Sequence, residues 1–242
     1  MKDLNFIKNI TIAHRGIHNN IDIPENSKEA FFLAINNTIP IELDIHILKD
    51  NTIVVFHDDN LKRMTGLDKQ IKNCTYEEIQ KLRLLNTNYS IPTLDEVLNL
   101  VDNKVLIDIE IKNDNRTKDI CRILSNKLDN YNGKFIIKSF YPNTINWFKN
   151  NKRNYIRGLL LKKDYKSKLL SKLSLSKIVF NYTKPDFLAV SKRIVKNQKI
   201  INKRKENIPI LVWTIKTDKD YEELKNYADS YISENIKTVK KK

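Results

Sequence analysis

The sequence has few of the residues that mark disulfide-rich, zinc-binding and nucleotide-binding proteins. Only two of its 242 residues are cysteine, Cys74 and Cys121, and they stand far apart without a C-x-x-C partner. The cysteines therefore imply neither a disulfide framework nor a zinc site. The four glycines form neither a G-x-G-x-x-G nor a Walker arrangement, which excludes the dinucleotide and P-loop fingerprints. Apolar runs such as 208–215 fall far short of the roughly 20 residues that span a bilayer.

Acidic residues are also in short supply relative to basic ones. The chain has 44 Lys and Arg against 29 Asp and Glu, a net charge of +15. Apart from two short runs the basic residues are scattered, and they do not form a stripe with interleaved aromatics, which argues against a nucleic-acid partner. Compositional drift at exposed positions would produce such an excess of lysine. A positive field also steers anionic ligands, so it weakly favours a small phosphate-bearing substrate and would allow weak association with an anionic membrane surface.

The N-terminal residues have no continuous apolar segment, because Lys2, Asp3 and Lys8 interrupt it, and they contain no small-residue cleavage site. We therefore expect a cytoplasmic protein without a transmembrane segment. No repeat, low-complexity tract or long Pro/Gly/Ser linker divides the chain. At 40% hydrophobic residues it can bury a core, and we expect one domain over residues 1–242.

Short β-branched runs alternate with stretches of helical period. Two capping boxes, Thr75-x-x-Glu78 and Thr93-x-x-Glu96, predict helices over 76–85 and 94–101, and 27–36 has apolar residues at helical spacing. Alternation of strand and helix predicts parallel β-α-β units. The predicted strands lie at 10–13, 40–47, 53–56, 105–111, 134–138, 155–161, 186–190, 208–214 and 230–233.

The strand at 53–56 follows the preceding strand after a polar turn of four residues, 49–52, which is too short for a parallel crossover. We interpret it as a hairpin partner of 40–47. Eight strands remain, the number of a closed barrel. An open doubly wound sheet is the alternative, but it would favour a glycine-rich turn that the chain lacks. The sequence therefore predicts an α/β fold, an eight-stranded (β/α) TIM-type barrel.

Acidic residues interrupt two of the early apolar strands, in a fold whose reacting groups lie at the carboxyl ends of strands. Side chains alternate along a strand, so Glu42 and Asp44 share one face, as do Asp108, Glu110 and Lys112. Like charges 4 Å apart at an effective dielectric near 20 repel by roughly 4 kcal/mol. A divalent cation with oxygen ligands would relieve this repulsion, and the lack of nearby Cys favours Mg²⁺ or Ca²⁺.

Arg15 and Lys112 add fixed positive charge near the same acids. Their charge suits an anionic group of a substrate. The alternative is an internal ion-pair network in which both side chains only bridge the carboxylates. Spacing alone leaves both interpretations open.

Two of the four histidines, His14 and His57, follow the ends of predicted strands, at the same mouth of the barrel as these acids. Cleavage of a phosphodiester needs one group to take a proton from the nucleophile and another to protonate the leaving alkoxide. These two histidines are therefore candidates for general acid–base catalysis. His46 shares the face of Asp44 and is a candidate for a supporting role.

An ordered series of motifs resembles the glycerophosphodiester phosphodiesterase family. It covers residues 11–113 well, with weaker matches at Ser139-Phe140 and at 212–215. The series consists of His14-Arg15-Gly16, Pro24-Glu25-Asn26-Ser27, Glu42-x-Asp44-Ile45, Val54-Val55-Phe56-His57-Asp58, Leu61-x-Arg63-x-Thr65, Ile91-Pro92-Thr93-Leu94 and Ile109-Glu110-Ile111-Lys112.

The resemblance implies a variant eight-stranded barrel with a small insertion, at about 48–104, between strands two and three. It implies metal-dependent hydrolysis of glycerophosphodiesters to glycerol 3-phosphate and an alcohol. It also implies roles for individual residues: Glu42, Asp44 and Glu110 as metal ligands, His14 and His57 as the acid–base pair, and Arg15, Lys112 and Trp213 as substrate contacts.

Two other functions remain open at this point. A phospholipase D-like enzyme that acts on lysophospholipids would need an apolar groove at the mouth, for which Trp213, Phe140 and Tyr141 are candidates. A barrel that only binds phosphate would need to have lost its catalytic groups, and none is missing from the first half of the sequence.

Overall fold

The structure is a computed structural model that describes residues 2–112, 115–163 and 175–236. All nine predicted strands are present, with ends within two residues of those expected. No helix in these ranges is long and apolar enough to cross a membrane. The strands are β1 (Thr11–Ala13), β2 (Ile41–Ile47), β3 (Ile53–Val55), β4 (Ile107–Ile111), β5 (Phe135–Ser139), β6 (Arg157–Leu161), β7 (Phe187–Ser191), β8 (Ile210–Ile215) and β9 (Ser230–Ser233).

The strands form one hydrogen-bonded sheet in the order β1-β9-β8-β7-β6-β5-β4-β2-β3, and β1 is also bonded to β2. Eight strands therefore close into a parallel barrel, and the TIM-type fold is confirmed. The ninth, β3, lies outside this ring and pairs antiparallel with β2, with Val55 opposite Ile45. This confirms the predicted hairpin.

The helices described are α1 (Lys28–Asn36), α2 (Lys62–Thr65), α3 (Tyr76–Ile79), α4 (Leu94–Val101), α5 (Thr117–Asp129), α6 (Pro142–Asn151), α7 (Lys177–Thr183), α8 (Gln198–Lys205) and α9 (Asp218–Leu224). Both predicted capping boxes form, at Thr75 and at Thr93. The prediction of a helix over 76–85 was wrong in length, because α3 ends at Ile79. Its continuation turns away so that the Leu85 N–H donates to the Met64 carbonyl, 2.7 Å away.

The chain forms two compact units. The first-half unit is His14–Phe135, and the second-half unit is Met1–Ala13 with Ile136–Lys242. In the first-half unit every residue of β2 and β4 is buried, as is usual for parallel strands covered on both faces. Cys121 is a buried free thiol, as is Cys74.

The segment between β2 and β4 has an apolar core of its own, which we call the insertion core. It fixes the hairpin strand β3 and the short helix α2 that follows it. The edge of β3 is covered, since the Val55 N–H donates to the Pro92 carbonyl at 2.8 Å. The buried members of the insertion core are Leu48, Val54, Phe56, Leu61, Met64, Ile71, Cys74, Ile79, Leu84 and Ile91.

In the second-half unit the consecutive strands β5 to β9 are parallel, and their pairings follow chain order. Its apolar core includes Leu159, Leu188 and Val212 from neighbouring strands. Gly158 lies on β6 where a Cβ would come within 2.3 Å of the Phe187 ring. Close packing between β6 and β7 therefore requires glycine at this position.

Candidate active site

Three carboxylates meet in the first-half unit. Glu42 and Asp44 lie on β2, and Glu110 lies on β4, directly across from Asp44 in the parallel register. One oxygen from each lies within 4.8 Å of the others, and all three residues are at most 7% exposed. Asp108, the other acid of β4, lies opposite Glu42 in the register. The group of three carboxylates contains Glu110 and not Asp108. Spacing alone could not choose between these two acids, and the geometry favours Glu110.

Two cations balance the carboxylates. Lys112, just past the end of β4, donates from Nζ to Asp44 Oδ1 at 2.8 Å and also to Glu110 Oε1. Arg15 Nε lies 3.3 Å from Asp44 Oδ2, and the Arg15 backbone N–H donates to Glu42 Oε2 at 3.1 Å. Burial would raise the pKa of Asp44, but nearby positive charge, that of Lys112 above all, holds it well below its ordinary value. Asp44 is therefore ionised at neutral pH.

The loop after β1 is held against this cluster by its backbone conformation. Arg15 and Gly16 both have positive φ, at 59° and 80°, and the Asn26 N–H donates to the Arg15 carbonyl at 3.0 Å. Asn26 also donates from Nδ2 to Asp44 Oδ2 at 3.0 Å. A Cβ on Gly16 would lie 2.7 Å from the carbonyl carbon of Ala30, so glycine is required here for space as well as for φ.

The two histidines predicted for acid–base chemistry follow β1 and β3. His14 is half-buried and precedes Arg15, whose N–H is bonded to the carboxylate cluster. His57 is also half-buried, and its Nδ1 lies 2.6 Å from Asp58 Oδ1. This contact fixes the imidazole and leaves Nε2 for another partner.

His46 contacts the backbone of His57. Its Nε2 lies 3.3 Å from the His57 carbonyl oxygen. Burial, with a contribution from the charge of Lys112, lowers the pKa of His46 to about 4. His46 is therefore neutral at pH 7, and a neutral imidazole with its proton on Nε2 can donate to that carbonyl.

Three further charged residues extend the site: Glu25, Asp58 and Arg63. Residue type and spacing in the sequence did not predict a role for them. Arg63 donates from Nε to Asp58 Oδ2 and from Nη2 to Glu25 Oε1, both at 2.6 Å. Arg15 Nη1 donates to the same Glu25 oxygen at 2.7 Å. Burial opposes ionisation of Glu25, yet the hydrogen bond from Arg63 and the charge of Arg15 lower its pKa to about 2. The available signal was only that these residues lie within the quoted motifs.

Trp213 lies on β8 in the second-half unit. Its ring meets Phe140 edge to face, with centroids 5.7 Å apart and planes at 80°. Both aromatic rings are thus held at the carboxyl ends of their strands, β8 and β5. The role of Trp213 in substrate contact stays a prediction.

The fold and the cluster define a TIM-type α/β barrel with a buried carboxylate site whose donors suit a divalent cation. A sequence profile of the Glycerophosphoryl diester phosphodiesterase family matches residues 14–238. The chain belongs to this family.

Individual relatives agree with this assignment. A glycerophosphodiester phosphodiesterase of Caldanaerobacter subterraneus is 40% identical over 114 residues, which cover 44% of this chain and 46% of the relative. An uncharacterized protein of Mycoplasma genitalium is 28% identical over 249 residues, 96% of each chain. The matches to the first curated relatives cover between 44% and 46% of their length.

The same fold is found in a phosphodiesterase of Oleispira antarctica, solved in complex with the product sn-glycerol-3-phosphate. The TM-score is 0.78 at 20% sequence identity, and the match covers 93% of this chain and 92% of that one. At this identity the likeness concerns the fold alone.

Proposed function

We propose that this chain hydrolyses glycerophosphodiesters to glycerol 3-phosphate and an alcohol. The observation that carries the proposal is the buried group of Glu42, Asp44 and Glu110 with Lys112 and Arg15 beside it. Such a group can hold a cation and a phosphate next to each other. Family membership supports the same reaction, and so does the glycerol 3-phosphate bound to the structurally similar Oleispira antarctica enzyme.

The carboxylates fit a hard divalent cation. Glu42, Asp44 and Glu110 offer only oxygen donors, which Mg²⁺ and Ca²⁺ prefer, and their burial would make uncompensated negative charge costly. We propose that these three residues hold Mg²⁺ or Ca²⁺. When bound, such a cation supplies Lewis acidity toward the phosphoryl oxygens.

The proposed proton transfers belong to His14 and His57. One takes the proton of the attacking hydroxyl and the other protonates the oxygen of the leaving alcohol. Asp58 orients His57 through Nδ1, which leaves Nε2 for the reacting oxygen. The attacking hydroxyl is that of water or of the substrate's own glycerol, and only the second route forms a cyclic phosphate.

The remaining predicted residues bind the substrate in this proposal. Arg15 and Lys112 contact the non-bridging phosphate oxygens, where they stabilise the negative charge of the transition state. Trp213 lines the mouth. We also propose that residues 1–242 act as one catalytic domain, with an insertion at about 48–104, in the cytoplasm. The family match over 14–238 supports the extent of this domain.

Hydrolysis of glycerophosphocholine, followed by release of glycerol 3-phosphate, tests the proposal. We expect a chelator to abolish turnover and His14→Ala or His57→Ala to lower the rate by about 10² to 10⁴. Activity that survives both the chelator and His14→Ala contradicts the mechanism. Preference for lysophosphatidylcholine would favour the phospholipase D-like alternative, and phosphate binding without turnover would favour a binding protein.

A further inference from the structure

Arg63 contacts both ends of the candidate site through two different carboxylates. Its Nε and Nη2 reach the two oxygens of Asp58, at 2.6 and 3.1 Å, and Asp58 in turn contacts His57. Its Nη2 also donates to Glu25 Oε1 at 2.6 Å, and this oxygen accepts from Arg15 as well. The Arg63 guanidinium thus links the contacting residues His57 and Asp58 to Arg15, the cation proposed to bind phosphate.

The backbone of Arg63 is held in place by its neighbours. Leu61 and Met64 are both buried in the insertion core, at 0% and 2% exposure, and the Met64 carbonyl accepts from Leu85. The Arg63 side chain therefore extends from a fixed point on α2. Its target Glu25 is fixed too, since Asn20 donates to Glu25 Oε2 at 2.8 Å and accepts from the Glu25 N–H at 2.8 Å.

The contacts need the shape of arginine. A guanidinium is a planar fork that can bond two oxygens of one carboxylate and still reach another, whereas an ammonium acts as a point charge. Asp58 uses the fork on one side of Arg63, and Glu25 uses the remaining Nη2 hydrogen. A lysine in this position would lack the planar fork that bonds both oxygens of Asp58 while it also reaches Glu25.

We propose that Arg63 is a positioning residue that couples the His57–Asp58 pair to the Arg15 guanidinium through Glu25. The proposal rests on the proposed function, because both ends of the link act on the phosphodiester. Through Asp58 it orients the imidazole for proton transfer, and through Glu25 it orients Arg15 for phosphate binding. Arg63 itself does not touch the substrate.

The first test compares Arg63→Met with Lys62→Met in the full chain. Lys62 is the adjacent residue of α2, is 68% exposed and pairs with Asp68, so its substitution removes an equal charge from the same helix. We expect kcat/KM for glycerophosphocholine to fall roughly 10- to 100-fold in Arg63→Met, as for misplacement of catalytic groups, and to change less than about twofold in Lys62→Met. Thermal unfolding of both variants verifies that they are folded.

Double-mutant cycles then separate the effect of the contact with Asp58 from that of the contact with Glu25. We expect the fall in kcat caused by Arg63→Met to be largely absent when Asp58→Asn is already present, since both act through His57. Arg63→Met should also raise KM, because Arg15 is no longer oriented through Glu25. This rise should be largely absent in the Glu25→Gln background. Additive effects in both backgrounds would mean that Arg63 acts on catalysis independently of Asp58 and Glu25, which would overturn the proposal.

Chemical rescue tests the role of Arg63 even if its substitution also lowers the stability of the fold. Free guanidinium, at concentrations far below those that denature, should restore part of the activity of Arg63→Ala and none of that of Asp58→Asn. No rescue together with additive cycles contradicts the role of Arg63 while leaving the proposed function intact. A wild-type chain without phosphodiesterase activity would instead refute the proposed function, and the role of Arg63 with it.

Discussion

The two compact units differ sharply in charge. The first-half unit has 16 Lys and Arg against 19 Asp and Glu, whereas the second-half unit has 28 against 10. The net charge of +15 therefore arises wholly in the second-half unit, and the carboxylate cluster lies in the unit with a slight acidic excess. A cation site needs local negative charge, so the overall basicity of the chain gives no guide to where its chemistry is.

The comparison also separates two uses of charge. In the first-half unit, Asp44 and Glu110 are buried together and share the Lys112 ammonium. In the second-half unit, Asp186 pairs with Lys2 and Arg157 at the end of a strand. The first arrangement concentrates like charges and needs compensation, whereas the second arrangement ties chain segments together. Matched substitutions in the two units should therefore have different consequences.

The largest expected effect is that of Asp44→Asn, compared with Asp186→Asn. We expect Asp44→Asn to lower the turnover of glycerophosphocholine by about 10³, or roughly 4 kcal/mol of barrier, because it removes a proposed metal ligand. Asp186→Asn should lower the unfolding temperature and change turnover less than about threefold. Similar losses of turnover in the two variants would contradict the assignment of chemistry to the first-half unit.

The next prediction concerns acid stability and Glu25. Its pKa is about 2 in the folded chain and 4.5 ordinarily, so its ionised form stabilises the fold above pH 4.5, and this stabilisation is lost as pH falls from 4.5 to 2. The shift corresponds to about 3 kcal/mol. Urea unfolding at pH 7 and pH 3 should therefore show a smaller acid loss for Glu25→Gln than for the wild type.

The matched control for that measurement is Asp220→Asn in the second-half unit. Partial burial of Asp220 would raise its pKa, but hydrogen bonding from Lys192 lowers it. We expect its substitution to change the acid dependence less than Glu25→Gln does. An equal or larger change would mean that acid lability is not concentrated at the candidate site.

Each unit contains one glycine that close packing requires, Gly16 in the first-half unit and Gly158 in the second-half unit. Gly16→Ala and Gly158→Ala each place a Cβ within 2.8 Å of other atoms, those of Ala30 and of Phe187 respectively. Both should lower the free energy of unfolding by roughly 2 kcal/mol, from overpacking. Only Gly16→Ala should also lower turnover, because it displaces the loop that carries Arg15. Denaturant unfolding and the phosphodiesterase assay measure the two effects, and an activity loss in Gly158→Ala alone would reverse the expected pattern.

The smallest expected effect is that of the helix caps. Thr93→Ala in the first-half unit and Thr217→Ala in the second-half unit each break a capping box. Each should lower the free energy of unfolding by about 1 kcal/mol and leave turnover unchanged. The measurement is urea unfolding, and a cost well above this value in one unit only would show that its cap has a further role.

The strands could be located from the sequence because each is a short β-branched run between polar turns. Burial of both faces makes such a run nearly continuous in β7, whereas acidic residues interrupt it in β2 and β4. The helix predicted over 76–85 was too long because local periodicity does not register the hydrogen bond between Leu85 and Met64, which turns the chain after Ile79. Contacts between distant residues decided where that helix ends.

The same distinction holds at the candidate site. Alternation along β2 and β4 was enough to gather Glu42, Asp44 and an acid of β4. The contacts of Arg63 with Glu25 and Asp58 were not predictable, because they join helix α2 to the loops after β1 and β3 and depend on the fold of the insertion core. Periodicity indicates which residues share a strand face, but not which loops meet above it.

The hairpin strand β3 lies outside the ring of eight strands, yet His57, Asp58 and Arg63 all follow it in the chain. The carboxylates, by contrast, belong to strands of the ring itself. In the proposed mechanism, the frame that would bind a cation and the segment that would move protons thus rest on separate supports. Sequence change in this segment would then alter how the leaving alcohol is protonated, and so which alcohols are released, without disturbing the barrel strands that carry the carboxylates.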